Sequence, residues 1–391
     1  MGKKYGKLEL KYISEALDSD NLFYYGGKKT EKLYDKIQSF FGVKYSALMS
    51  SGTAAIHCAV ASLEIPPGNE VITSCITDMG TVIGILYQNL IPIFADVDPH
   101  TYNVTAESIK KVLSPKTKAI IVVHLAANAA EMDEILELAK AHNIAVIEDC
   151  AQAYGAKYRG KYVGTLGDMG CYSLNAYKHI SAGDGGFVIT NNQDFQSKLA
   201  NYADKYYDRT NKSNRLKALG LNYRITELQS AVALAQFERL SDITAKRHAA
   251  GDKFNAGIQN LEGIFPHKIH SHNYCTYWFT MIRMNPTKMG YSREEFVEAL
   301  KKEGVSASAG YIERPLYLEP VFVNKNFFPG GIWPAEVVSG KKYTYQEGMC
   351  SIAEEVLKTA IRIPIDEFMD DKEIEKKIAG FKKAYDKCRK K

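Results

Sequence analysis

Apolar residues recur at helical spacing twice before residue 42. Leu8, Leu10, Ile13 and Leu17 mark one amphipathic helix over 7–19, and a second over 30–41 stops at Gly42. A polar, glycine-marked segment, 21–27, lies between them. From Ser46 the rhythm changes to short apolar runs at 47–49, 70–73, 91–95, 119–123 and 145–148, separated by helical stretches near 54–63, 79–89 and 131–141. Such alternation predicts right-handed βαβ units and a mostly parallel sheet with helices on both faces, an α/β fold.

A long helix over 225–249 closes this part, and the pattern then changes again. Residues 274–284 alternate like a strand, 292–302 read as a helix, and 312–320 as a loop or strand edge. Two more helices are expected over 344–358 and 371–387, with the apolar run 362–365 between them. The organisation expected is a large domain over 1–250, with an N-terminal helical segment, and a small α+β domain over 251–391. No internal repeat is visible.

Composition narrows the function classes. The 391 residues are 46% hydrophobic, enough for a large core. Fifty basic and 45 acidic residues are interspersed, so the net charge of +5 gives no footprint for nucleic acid. Lys3, Lys4 and the lysine-rich stretch 387–391 read as solvated termini. The seven cysteines are widely spaced without a C-x-x-C pair, which argues against a disulfide framework or zinc ribbon and for a reducing cytoplasm. No signal peptide is visible, and no apolar run approaches the ~20 residues of a membrane helix. His267, His270 and His272 lie in a polar segment lacking a carboxylate or cysteine set, so no metal site is expected there.

In an open parallel sheet ligands bind beyond the carboxyl ends of the strands. After the first strand, Ser50-Ser51-Gly52-Thr53-Ala54-Ala55 leads into a helix. The bland reading is a Ser or Thr N-cap; the sharper one is an anion site made by free N–H groups at the positive end of the helix. After the strand near 145–148 comes Glu148-Asp149-Cys150-Ala151-Gln152. Asp149 is either the N-cap of a following helix or a buried acid with a cationic partner. A protonated pyridine nitrogen would suit it, and Gln152 would support a substituent on that ring.

Further on, Ser173 precedes Lys178 by five residues, and Gly183-Asp184-Gly185-Gly186 closes the loop into the apolar run 187–190. A lysine taken alone is a surface residue. One buried between strands is an amine neutral enough to attack a carbonyl and form a Schiff base. Together, an anion-binding turn, a strand-end acid, a serine and a loop lysine meet the protein-side requirements of pyridoxal phosphate.

At these residues the chain resembles the DegT/DnrJ/EryC1/StrS family of sugar aminotransferases, over about 8–380. The markers are Ser51 to Ala55, Phe94-Ala95-Asp96-Val97-Asp98, Glu148 to Gln152, Tyr172 through Gly186, Gly220-Leu221-Asn222-Tyr223-Arg224-Ile225 and Ile352-Ala353-Glu354-Glu355. The resemblance implies the type I fold of pyridoxal-phosphate-dependent transferases and the transfer of an amino group from glutamate or glutamine to a keto sugar or keto-cyclitol. It implies that Lys178 holds the cofactor as an internal aldimine and moves the proton, that Asp149 pairs with the ring nitrogen, and that Gln152 contacts the ring oxygen. Gly52, Thr53, Ala54 and Ser173 would bind the phosphate. It also implies a homodimer with shared active sites, in which Asn222 reaches the partner's phosphate.

The match departs from the family in three places. Asp78 stands where an aromatic residue normally covers the ring, leaving Met79, an aromatic from elsewhere, or an open face. The segment 124–133 carries alanines where the family has a glycine and a proline. His179 follows Lys178; in a related sugar dehydratase a histidine replaces the lysine, but here the lysine is kept. Arg209, Lys212, Arg215 and Lys217 form either a solvated loop or a cationic one that attracts an anionic substrate to the partner's site. The rival functions are a sugar dehydratase using the same cofactor and a catalytically silent regulatory relative.

Overall fold

The computed structural model describes residues 3–211, 213 and 216–389. In chain order its strands are β1 (Tyr45–Met49), β2 (Glu70–Ser74), β3 (Ile91–Ala95), β4 (Thr117–Val123), β5 (Ala145–Asp149), β6 (Lys157–Tyr158), β7 (Lys161–Tyr162), β8 (Met169–Ser173) and β9 (Gly186–Thr190). They are followed by β10 (Ile264–Phe265), β11 (Asn273–Tyr274), β12 (Phe279–Met284), β13 (Ser308–Ala309) and β14 (Ala360–Pro364). Seven of them form the main sheet in the order β1-β9-β8-β5-β4-β2-β3. The neighbours from β8 to β3 pair in parallel, and only β9 runs antiparallel to both its neighbours.

Alternation along β4 explains why the sheet is covered twice. Ile120 and Val122 enter one core with Leu33, Ile37, Phe237 and Phe254, while Ala119 and Ile121 enter the other with Ile56, Val60, Val82 and Ile85. A second, antiparallel sheet, β10-β12-β14-β13, carries the C-terminal part, and a small sheet, β11-β6-β7, ties residues 273–274 to the large sheet's side. The helix Asp371–Arg389 ends the described chain.

Three expectations change. The long helix over 225–249 is two helices, Glu227–Phe237 and Leu240–Ile258. Arg239 leaves helical geometry between them, and its guanidinium binds Glu9. Because Leu240–Ile258 spans residue 250, we propose that the two domains share this helix as their border. The strand over 274–284 is interrupted, because Tyr277 adopts a positive φ of 42° between β11 and β12. The helix over 344–358 begins only at Ser351, after Gly348 turns the chain at φ 87°.

Candidate active site

The carboxyl ends of β1, β2, β5 and β8 open onto a cavity of about 390 Å³. Gly52, Thr53, Asp149, Gln152, Ser173 and Lys178 all line it. Two of the residues expected at the site do not. Ala54 is buried behind the helix end, and Asn222 is exposed, away from its own chain's cavity and bridged to Asp204.

Ser51 is the N-cap of the helix Gly52–Ser62 and accepts from the Ala54 N–H at 3.0 Å. The capping reading holds at Ser51, which satisfies Ala54, and Gly52 and Thr53 beside it line the cavity. Ser173 closes against this turn. A Cβ on Gly52 would sit 2.6 Å from the Ser173 Cβ, so only glycine lets strand end and helix end meet there.

No helix follows Asp149, which removes its N-cap reading. Its carboxylate instead accepts from Thr81 Oγ1 at 2.7 Å and from the Ala151 N–H at 3.1 Å. Thr81 is paired in turn with Thr77 at 2.7 Å. Burial raises the Asp149 pKa, against the lowering effects of Thr81, Ala151 and Lys178. Its two oxygens retain acceptor capacity toward the cavity.

Across the cavity Lys178 is half-buried, with Nζ 4.0 Å from the Trp278 ring centroid. Burial lowers its pKa, and the carboxylates of Asp149 and Asp78 oppose that shift. Desolvation thus disfavours the Lys178 charge, the condition for a nucleophilic amine, while the hydrogen bonds from Thr81 and Ala151 and the nearby Lys178 favour the Asp149 carboxylate. Gln152 is held in a defined direction. Its Oε1 accepts from the Ala126 N–H at 2.9 Å, and its Nε2 donates to Tyr311 O–H at 3.2 Å.

The alanines of the 124–133 segment keep a glycine-like path. Ala126 and Ala127 have φ of 56° and 69°, in the left-handed region that costs a non-glycine residue about 1–2 kcal/mol. The strain is held in place by Gln152 on the Ala126 N–H and by the Trp278 N–H on the Ala126 carbonyl, at 3.2 Å.

His179 points away from the cavity. It is fully buried beside Tyr154 and shares a hydrogen bond between Nε2 and the Thr276 carbonyl at 3.1 Å, and burial drives its pKa well below the usual imidazole range. Asp78 does line the cavity, fixed by the Gly80 N–H at 2.8 Å, whereas Met79 does not. The aromatic wall comes instead from Trp278 and Tyr311, 5.7 Å apart between ring centroids. Neither was foreseen: both stand in the C-terminal part, with no motif around them.

Among the described residues, neither the histidines at 267, 270 and 272 nor the basic stretch 209–217 lines the cavity. His267 is buried and bonded near Thr101, while His270 and His272 lie beside Glu131, 3.9 and 3.0 Å from its carboxylate. The carboxylate thought to be missing is therefore supplied from a distant segment, yet the three imidazoles do not converge. Arg209 is held by the buried Asp204, 2.6 Å away, which also takes Tyr24 and Arg224. Lys212 and Arg215 lie outside the described residues. A larger cleft of about 640 Å³ is lined by Arg209 but by none of the residues expected to hold the cofactor.

A sequence model of the DegT/DnrJ/EryC1/StrS aminotransferase family matches residues 3–382. The chain belongs to this family. Among its relatives, an uncharacterized protein of Methanocaldococcus jannaschii is 30% identical over 387 residues, 97% of this chain and 95% of that one. The GDP-perosamine synthase of Escherichia coli O157:H7 is 33% identical over 325 residues, 81% of this chain and 85% of that protein. A crystal structure of an aminotransferase from Psychrobacter cryohalolentis superimposes with a TM-score of 0.88 at 27% identity, covering 98% of both chains. The chain is accordingly an aminotransferase of a sugar aminotransferase family, with the fold of pyridoxal-phosphate-dependent aminotransferases. Among the described residues no helix is long and apolar enough to cross a membrane.

Proposed function

We propose that this aminotransferase uses pyridoxal phosphate to move an amino group from an amino acid, glutamate or glutamine, onto a keto sugar linked to a nucleotide or phosphate, or onto a keto-cyclitol. The observation that carries the reading is Lys178 and Asp149 lining one cavity whose end is a helix N-terminus backed by Ser173. These residues fit the cofactor. The Gly52–Thr53 amides and Ser173 Oγ suit a phosphate, the spare acceptor capacity of Asp149 suits a protonated ring nitrogen, and the Gln152 amide suits a ring oxygen.

When bound, the cofactor supplies an electrophilic carbonyl and a ring that takes up electrons. The chain's residues do the rest. Lys178, its charge disfavoured by burial, would offer Nζ as nucleophile and then as the carrier of a proton between the two carbons on either side of the transferred nitrogen. Asp149 keeps a proton on the facing nitrogen, and Thr81 keeps Asp149 aimed. Trp278 and Tyr311 exclude water from one wall. Asn222, exposed and outside the lining of its own cavity, supports a homodimer in which it serves the partner's site, and the reducing cytoplasm is the expected compartment.

A dehydratase reading is disfavoured by Lys178 in the cavity with His179 turned into the core. The test is incubation of the purified protein with the cofactor, nitrogen-labelled glutamate and a nucleotide-linked keto sugar. We expect a visible absorption band that bleaches with glutamate, label in an aminated product, and a loss of at least ~10²–10⁴ in turnover for Lys178→Ala. Turnover without label transfer would instead assign a dehydratase. No band would assign a silent relative.

A further inference from the structure

The amino-terminal arm, expected to be solvated, lies against the back of the turn that carries Lys178. Lys4 Nζ donates to the carbonyl oxygens of Ala176 at 3.0 Å and Lys178 at 2.5 Å. Tyr5 O–H donates to Ser181 Oγ at 3.1 Å. The arm is anchored from its other side as well. The Lys4 carbonyl accepts from Gln236 Nε2 at 3.1 Å and Arg239 Nη2 at 3.2 Å, and both of those side chains also bind Glu9, which itself accepts the Gly6 N–H at 2.7 Å.

The turn is also held from outside by the Trp278 Nε1–H on the Tyr177 carbonyl, at 2.7 Å, and by the Thr276 carbonyl on His179 Nε2, at 3.1 Å. Between β8 and β9 it has no regular secondary structure, and its main-chain bonds within its own length are Leu174 N–H to Gly185, Lys178 N–H to Asn175 and Ala182 N–H to Leu174. An ammonium shared by two carbonyls fixes the peptide plane that follows Lys178 and the plane that follows Ala176. Bonds of this charge-assisted kind are about twice as strong as neutral ones. Burial lowers the Lys4 pKa to about 8, with Glu367 opposing and Arg247 adding to the shift, which still leaves the group an ammonium near neutral pH.

We propose that Lys4 and Tyr5 form a positioning strap for Lys178, setting the direction in which its amine enters the cavity. That the direction matters for amine capture rests on the function proposed above; the strap itself does not. Hydrogen exchange on the full chain without added cofactor tests the strap. Lys4→Met should speed exchange at the Lys178 and Ala182 amides about tenfold, Lys4→Arg should recover part of the protection, and Tyr5→Phe should give a smaller rise, all with β5 unchanged. Equal exchange at those two amides in wild type and Lys4→Met overturns the strap, as does a rise spread evenly over the chain.

Absorption spectroscopy with pyridoxal phosphate tests the positioning. Lys4→Met should form the visible band about tenfold more slowly and at a shifted wavelength; formation at the wild-type rate and wavelength overturns the positioning role. A wild-type protein that forms no band removes the cofactor reading instead, and leaves the exchange result to stand.

Discussion

Two neighbouring carboxylates at the end of β5 face opposite ways. Glu148 is buried on the core side, hydrogen-bonded by His124 Nε2 at 2.9 Å and by the N–H groups of Gly164, Leu166 and Gly167 at 2.7–2.8 Å. Asp149 faces the cavity with two donors and capacity to spare. The pair Lys178 and His179 repeats the division, with the amine in the cavity and the imidazole in the core. In β5, alternation along the extended chain thus sets a saturated carboxylate beside an unsaturated one, and only the second is available for chemistry.

The division makes opposite predictions for the two acids. Glu148→Ala strands three buried N–H groups and His124, so chemical denaturation should show a loss of at least ~3 kcal/mol in stability. Asp149→Asn keeps its shape and costs at most ~1 kcal/mol in the same measurement, while lowering turnover about 10²-fold, through the lost charge. If both variants unfold alike, or both fold and turn over alike, the division is wrong.

The core-side histidines sharpen it further. Burial lowers the pKa of His57 and His267 from 6.5 to about 4, so the folded protein resists protons that the unfolded chain accepts. Their contribution to stability is complete above pH 6.5 and lost as pH falls toward 4. The urea midpoint should drop across that window, and less steeply in His57→Phe.

The smallest effect is expected at Ala127. Relief of left-handed strain in Ala127→Gly, ~1–2 kcal/mol, is offset by a lost buried methyl, ~0.8, and by glycine's entropy, ~0.5–1. Thermal melting should therefore move by the equivalent of under ~1 kcal/mol. A larger loss would mean that the methyl, not Gln152 and Trp278, holds the turn.

Much of this was legible in the chain. The strand periodicity located β1 to β5, because buried parallel strands are apolar throughout, and the strand-end rule led to Thr53, Asp149 and Lys178. What was not legible came from long-range contact. Trp278 and Tyr311 reach the cavity from the C-terminal part, Glu131 reaches His270 and His272 from 139 and 141 residues away, and Lys4 reaches Lys178 across 174. The break at Arg239 carries no glycine or proline to mark it, and the partner that its guanidinium binds there, Glu9, lies 230 residues away.

The central claim is that Lys178 is the one amine presented to the cofactor. Treating the protein with pyridoxal phosphate, reducing with borohydride and mapping the modified peptide by mass spectrometry tests it directly. The account predicts one adduct per chain, on Lys178, absent from Lys178→Ala. An adduct on another lysine, or one that survives in Lys178→Ala at wild-type yield, would contradict it.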